Sequence, residues 1–184
     1  EYLTRGNCAI VVPQYAMVPS AMAWDKISEG TRLQAEVLQA ISDRIRRIPP
    51  VRRPRLYQFG ESLGAQVALD VAAVGGVARL DSMDVTAGLY LGVPFRSRAW
   101  HAWADQPRAI DPARRMIVVP EPAEAPDTPG MHLMVVHHDD PVNKFAYTMF
   151  VRRPWWFGAP ETRPPMVPRE TLFRPVSSFV IAVC

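Results

Sequence analysis

A chain of 184 residues with 48% hydrophobic content is long enough to enclose a core and too apolar to be disordered, and a single domain over 1–184 is the expectation. Its 21 basic and 18 acidic residues nearly cancel to +3, so the pI of 9.1 does not by itself argue for a nucleic-acid partner. There is no basic face and no nucleic-acid-binding motif, and the arginines gather beside prolines (Arg46, Arg47, Arg52, Arg53, Arg152, Arg153), as they do on solvated loop edges.

In chain order, Asn7 to Gln14 (NCAIVVPQ) is a β-branched apolar run bounded by Gly6 and Pro13 and predicts a short, buried strand, central and parallel in its sheet. Tyr15 to Trp24 reads as a loop. A helix follows, capped by Asp25 or Ser28, in which Leu33, Val37, Ile41, Ile45 and Ile48 lay an apolar stripe along one face before Pro49 and Pro50 end it. Leu56, Tyr57 and Phe59 give a strand that stops at Gly60, and Ala65, Ala68, Leu69 and Ala72 give a helix that begins just after Ser62. Gly75 and Gly76 break that helix, Val85 to Val93 is the next strand, and Arg96 to Pro112 is an irregular helix or loop over the sheet. Arg114 to Val119 is a short strand, Glu121 to Gly130 a proline-rich surface loop, and Met131 to His137 the last strand, left through the turn His138-Asp139-Asp140-Pro141. The aromatic tail from Lys144 is loop with short helices. Strands alternating with helices predict an α/β fold, a mainly parallel sheet with helices on both faces, whose ligands bind beyond the carboxyl ends of the strands.

Gly60-Glu61-Ser62-Leu63-Gly64 fits the G-x-S-x-G pattern, a sharp turn between strand and helix on which a serine is held in a strained backbone conformation. Gly60 and Gly64 are expected to remove collisions with the neighbouring elements. Ser62 then stands at the carboxyl end of its strand and the amino end of a helix, where the dipole and unpaired N–H groups favour negative charge, and the Leu63 N–H is the natural oxyanion donor. The other reading of the same residues is a plain scaffold with packing glycines and a buried Ser62 hydroxyl.

A serine hydroxyl needs a base to take its proton and an acid to orient that base. Asp140 fits the acid by chain order, following Ser62 with one further main strand between them. The four histidines, His101, His132, His137 and His138, all precede Asp140. His132 reads as a packed strand residue, and His137 and His138 sit too close to the acid in sequence to reach across to Ser62. Neither these residues nor Cys8 and Cys184 show a spaced metal-ligand set, and no metal or cofactor is expected.

Taken together, GESLGA after RPRLYQF, VPQYAMVPS, GLYLGVP, VVHHDDPV, RRPWWF and RPVSSFV resemble the membrane-associated α/β-hydrolase family of bacteria, in consistent order over nearly the whole chain. The resemblance implies Ser62 as nucleophile, Asp140 as acid and His137 as a supporting residue that precedes it. It also implies that the histidine base follows the apolar helix near Val176 to Cys184, and that the second oxyanion donor precedes Glu1. The expected function is therefore a serine hydrolase of esterase, lipase or thioesterase type. The chain opens without methionine and closes within an apolar run, and is expected to be a catalytic-domain piece of a longer protein, with little turnover of its own. It carries no signal peptide or membrane span and is expected to be soluble by itself, with the membrane reached through segments outside it. Its expected partner is a small-molecule or lipid-like ester. The alternative is a catalytically inactive scaffold that binds a partner through exposed Trp100, Trp103, Trp155 and Trp156.

Overall fold

A computed structural model describes residues 4–18, 22–94, 97–119, 128–136, 140, 147–154, 157–162, 169–170 and 172–183. Four strands form one parallel sheet: β1 (Leu56–Glu61), β2 (Val85–Leu91), β3 (Met116–Val119) and β4 (His132–Val135), in the spatial order β1-β2-β4-β3. Six α-helices are described: α1 (Ile27–Arg46), α2 (Leu63–Asp70), α3 (Gly76–Ser82), α4 (Arg98–Asp105), α5 (Pro107–Ile110) and α6 (Pro175–Val183). The α/β expectation holds, and the strands predicted at 56–59, 85–93, 114–119 and 131–137 are all present.

The two faces of the sheet are unlike. Residues on one side of a strand share a face, and Gln58, Gly60, Tyr90, His132 and Met134 line the face against which α2 packs, all buried. On the other side Tyr57 and Phe59 are 60% and 61% exposed, so helical cover on both faces is met on one face only at β1, among the described residues. Of the apolar residues used to predict β1, Tyr57 and Phe59 are thus outward while Leu56 is half-buried against the core, and polar Gln58 is inward.

Gln58 is tolerated there because it belongs to a connected polar chain. Its Nε2 donates to the Ala68 carbonyl (3.2 Å), so its Oε1 accepts from the Tyr90 hydroxyl (2.9 Å). With that hydrogen committed, the Tyr90 oxygen accepts from His132 Nδ1 at 3.2 Å, and the buried Nε2 of the ring is left unprotonated with no partner among the described residues. Burial pushes the Tyr90 hydroxyl pKa up and holds His132 down at about 4, with the Arg115 charge adding to the effect on His132. His132 is the packed residue the strand pattern predicts.

Two expectations fail. Residues 7–14 form no strand and are exposed, with Ile10 70% and Val12 82% accessible. A β-branched run states what a segment would bury if it joined a ladder, and residues 7–14 pair with none of the four described strands. In α1 neither Asp25 nor Ser28 caps the helix: Lys26 is the N-cap without a side-chain bond, and Asp25 lies in the 3₁₀ turn Trp24–Lys26. The fully buried residues of α1 are Gly30, Thr31, Leu38, Ser42 and Ile45; of the predicted stripe Ile45 is among them, while Leu33, Val37 and Ile41 are half-buried to one side. Small residues win buried positions because α1 lies close to its neighbours, with Gly30 against Tyr15 and Val67 and with the Ser42 hydroxyl bonded to Asp84 at 2.6 Å.

Past α2, the buried Asp70 carboxylate accepts from the Ser97 hydroxyl (2.8 Å) and the Ala99 N–H (2.9 Å), pinning the start of α4. The segment predicted as an irregular helix or loop holds two short helices, α4 and α5, with Ser97 capping α4 through the Trp100 N–H.

Candidate active site

At the carboxyl edge of β1 the ladder runs on past the strand. Glu61 pairs with Leu91, and the Ser62 N–H donates to the Leu91 carbonyl at 2.9 Å. The chain then reverses at Ser62, with φ 53° and ψ −125°, and α2 starts at Leu63. Residues other than glycine rarely adopt that conformation, which stores strain on the order of 1–3 kcal/mol. The first helical bond is Gln66 N–H to the Ser62 carbonyl (3.1 Å), so the Leu63 and Gly64 N–H groups have no intrahelical acceptor. Ser62 is half-buried, and its hydroxyl makes no bond to the helix it precedes. Glu61 is exposed, on the face away from α2.

The two glycines of the pattern are not equivalent. A Cβ on Gly60 would stand 2.6 Å from the Gly64 carbonyl oxygen and 2.7 Å from the Ala65 Cα, both backbone atoms. A Cβ on Gly64 meets nothing within 4 Å, so the expected collision at Gly64 is absent among the described residues. Gly60→Ala must push α2 off β1 and is expected to lose about 1–3 kcal/mol. Gly64→Ala, an exchange inside a helix, is expected to be neutral or stabilising by up to about 1 kcal/mol. Denaturant titration of both variants checks the pair, and equal losses would refute this asymmetry.

Asp140 lies at the same edge. Its Oδ2 is 3.0 Å from the point a Cβ on Gly92 would occupy. Gly92 has φ +56°, directly follows the Leu91 that receives the Ser62 N–H, and donates its own N–H to the Val135 carbonyl at 3.0 Å. Consecutive residues at the end of β2 therefore hold the elbow on one side and the end of β4 on the other, with the Asp140 carboxylate above them. Sequence reading missed Gly92; its signal was a glycine between an apolar strand and Pro94.

His132 is not part of this edge. It opens β4 three residues before Val135, about 10 Å along the strand. His101 is half-buried on α4, and His137, His138 and Asp139 lie outside the described residues. No cluster of three or more metal-ligating side chains occurs among the described residues.

A strand, a reversal at a strained serine, a helix and a carboxylate at the end of a later parallel strand agree with the outcome of comparison: a model of the alpha/beta-hydrolase family matches residues 1–183. The chain belongs to the alpha/beta-hydrolase family. No curated protein and no solved structure matched it. In this hydrolase-family chain no single described helix is long and apolar enough to cross a membrane. The bent pair Leu63–Ala73 and Gly76–Ser82 is apolar enough when taken together, but it supplies much of the buried core.

Gly92 gives a direct check on the family chain's edge. Gly92→Ala meets both the positive φ and the Asp140 carboxylate, and is expected to cost about 1–2 kcal/mol. The displaced carboxylate should also slow reaction of Ser62 with an active-site probe on the order of tenfold. An unchanged labelling rate would separate Asp140 from the chemistry of Ser62.

Proposed function

We propose that the protein is a serine hydrolase acting on ester or thioester bonds through an acyl-enzyme on Ser62. The observation that carries this reading is the Ser62 backbone, held at positive φ at the mouth of α2 with its hydroxyl unbonded to that helix. Ser62 Oγ attacks the substrate carbonyl and gives its proton to a histidine base, and the Leu63 N–H receives the developing oxyanion. The protonated base then hands that proton to the departing alcohol or thiol, and water, activated in the same way, releases the acid and restores Ser62. Asp140 orients the base. The resemblance puts that base on a segment following α6, and His137 beside the acid as a support.

The alternative is a catalytically silent scaffold that binds a partner. Exposed Trp100 and Trp103 would favour it, but both are partly buried against the core, and Trp155 and Trp156 lie outside the described residues. Membrane association of the full-length protein belongs to the proposal through the resemblance, and cell fractionation tests it.

The deciding experiment is labelling of the full-length protein with a fluorophosphonate. Modification mapped to Ser62 and lost in Ser62→Ala is the expected result. An unlabelled wild type would leave the scaffold as the better reading.

A further inference from the structure

The sheet edge opposite Ser62 holds a concave site, and it makes no use of the elbow. A cleft of about 480 Å³ lies where α1 ends and β1 and β2 begin, lined by Arg46, Arg53, Arg55, Arg115, Asp81 and Asp84. Its size is that of ordinary small-ligand sites. Four guanidiniums face two carboxylates there, leaving two positive charges.

Three of the arginines are held in place. Arg46 donates from Nε to Asp84 (2.7 Å) and from Nη2 to the Ser82 carbonyl (2.7 Å). Arg115 grips both oxygens of Asp81 through Nη2 at 2.6 Å. Arg53 donates to the Ile48 and Arg46 carbonyls at 2.9 and 3.0 Å, covering acceptors left at the end of α1. None of these bonds uses Nη1, so each fixed guanidinium keeps donors unbonded among the described residues. Arg55, joined to Arg53 through Pro54, makes no hydrogen bond or ion pair with any described residue. Two ion pairs and the Arg53 bonds tie α1 and α3 to the strands, and Arg55 is in excess of that.

Donors fixed in advance bind with little loss of side-chain freedom. These converge from three elements: the end of α1, the lead into β1 and the lead into β3. A planar carboxylate accepts in one plane, whereas a phosphate accepts from several directions and carries the charge that balances the cleft. We propose that this cleft binds a phosphate-bearing ligand on the fixed guanidiniums of Arg46, Arg53 and Arg115, to which Arg55 adds a charge that no described residue neutralises.

The test is thermal-shift and calorimetric titration of the full-length protein with pyrophosphate at constant ionic strength, and flotation with phosphatidylcholine vesicles with and without phosphatidic acid. Arg55→Gln removes a side chain with no described partner, and Arg47→Gln removes the same charge outside the cleft. Saturable pyrophosphate binding, weakened about tenfold or more by Arg55→Gln and unchanged by Arg47→Gln, identifies a site for soluble phosphates. The same dependence seen only with phosphatidic acid vesicles identifies a lipid headgroup as the source. No saturable binding in either arm, or equal behaviour of the two variants, overturns the proposal. Fluorophosphonate labelling of Ser62 is read separately, so failure here leaves the reading of the elbow untouched, and the reverse also holds.

Discussion

As the proposed nucleophile, Ser62 replaced by alanine or glycine (Ser62→Ala, Ser62→Gly) should abolish turnover, by on the order of 10⁶ in kcat for a complete triad, and yet the two variants should differ from each other in stability. Alanine keeps a side chain on a backbone at φ 53° and so keeps the strain, whereas glycine releases it. Allowing for the extra freedom glycine loses on folding, Ser62→Gly should be the more stable of the two by about 1 kcal/mol. Chemical denaturation and probe labelling of the same two proteins separate the questions. If glycine gives no gain the elbow strain is absent, whereas labelling that survives in either variant removes Ser62 as the nucleophile.

The second large effect lies in the core. His132 is held at about 4 when folded against an ordinary 6.5, mainly by burial, so the folded chain resists protonating it. Between those values the unfolded chain binds the additional proton, and stability must fall with pH. The contribution is fully present above pH 6.5, declines as pH drops towards 4 and then levels off. Its size follows from the difference between the two values and is about 3 kcal/mol. His132→Asn keeps a donor near the Nδ1 position and cannot titrate. It should be less stable at neutral pH, from the space it leaves, and its stability should lack most of the loss between pH 6.5 and 4. Equal acid sensitivity in variant and wild type would shift the cause to other groups.

The elbow was legible in the sequence because what it requires is local: a strand, a glycine, a serine and a helix start within ten residues. The strands at 85–91 and 132–135 were legible for a related reason, being apolar runs whose neighbours in space supply ladders on both sides. Residues 7–14 show the limit. Ile10, Val11 and Val12 have the composition of a buried strand, but composition cannot say whether a partner edge lies beside it. In α1 the apolar stripe misled because Gly30, Thr31 and Ser42 reach the interior by being small, a fact set by the distance to Tyr15, Val67 and Asp84. At β1 the apolar run gave the correct element but not which side faces inward, since Gln58 is admitted to the core only by Tyr90 and Ala68. Asp140 was named from chain order, but its seat over Gly92 is tertiary, and no spacing rule connects residues 92 and 140.

The chain from Gln58 through Tyr90 to His132 runs across β1, β2 and β4 like a key through three wards. A shift of β2 by a single residue would turn Tyr90 to the far side of the sheet and take from both Gln58 and His132 the partner they share, and a shift of β1 or β4 would take one of its two partners from Tyr90 in a dry interior. Misaligned pairings are thereby penalised during folding. The heights at which Ser62 and Asp140 emerge at the far rim are fixed by an amide, a phenol and an imidazole buried within the sheet.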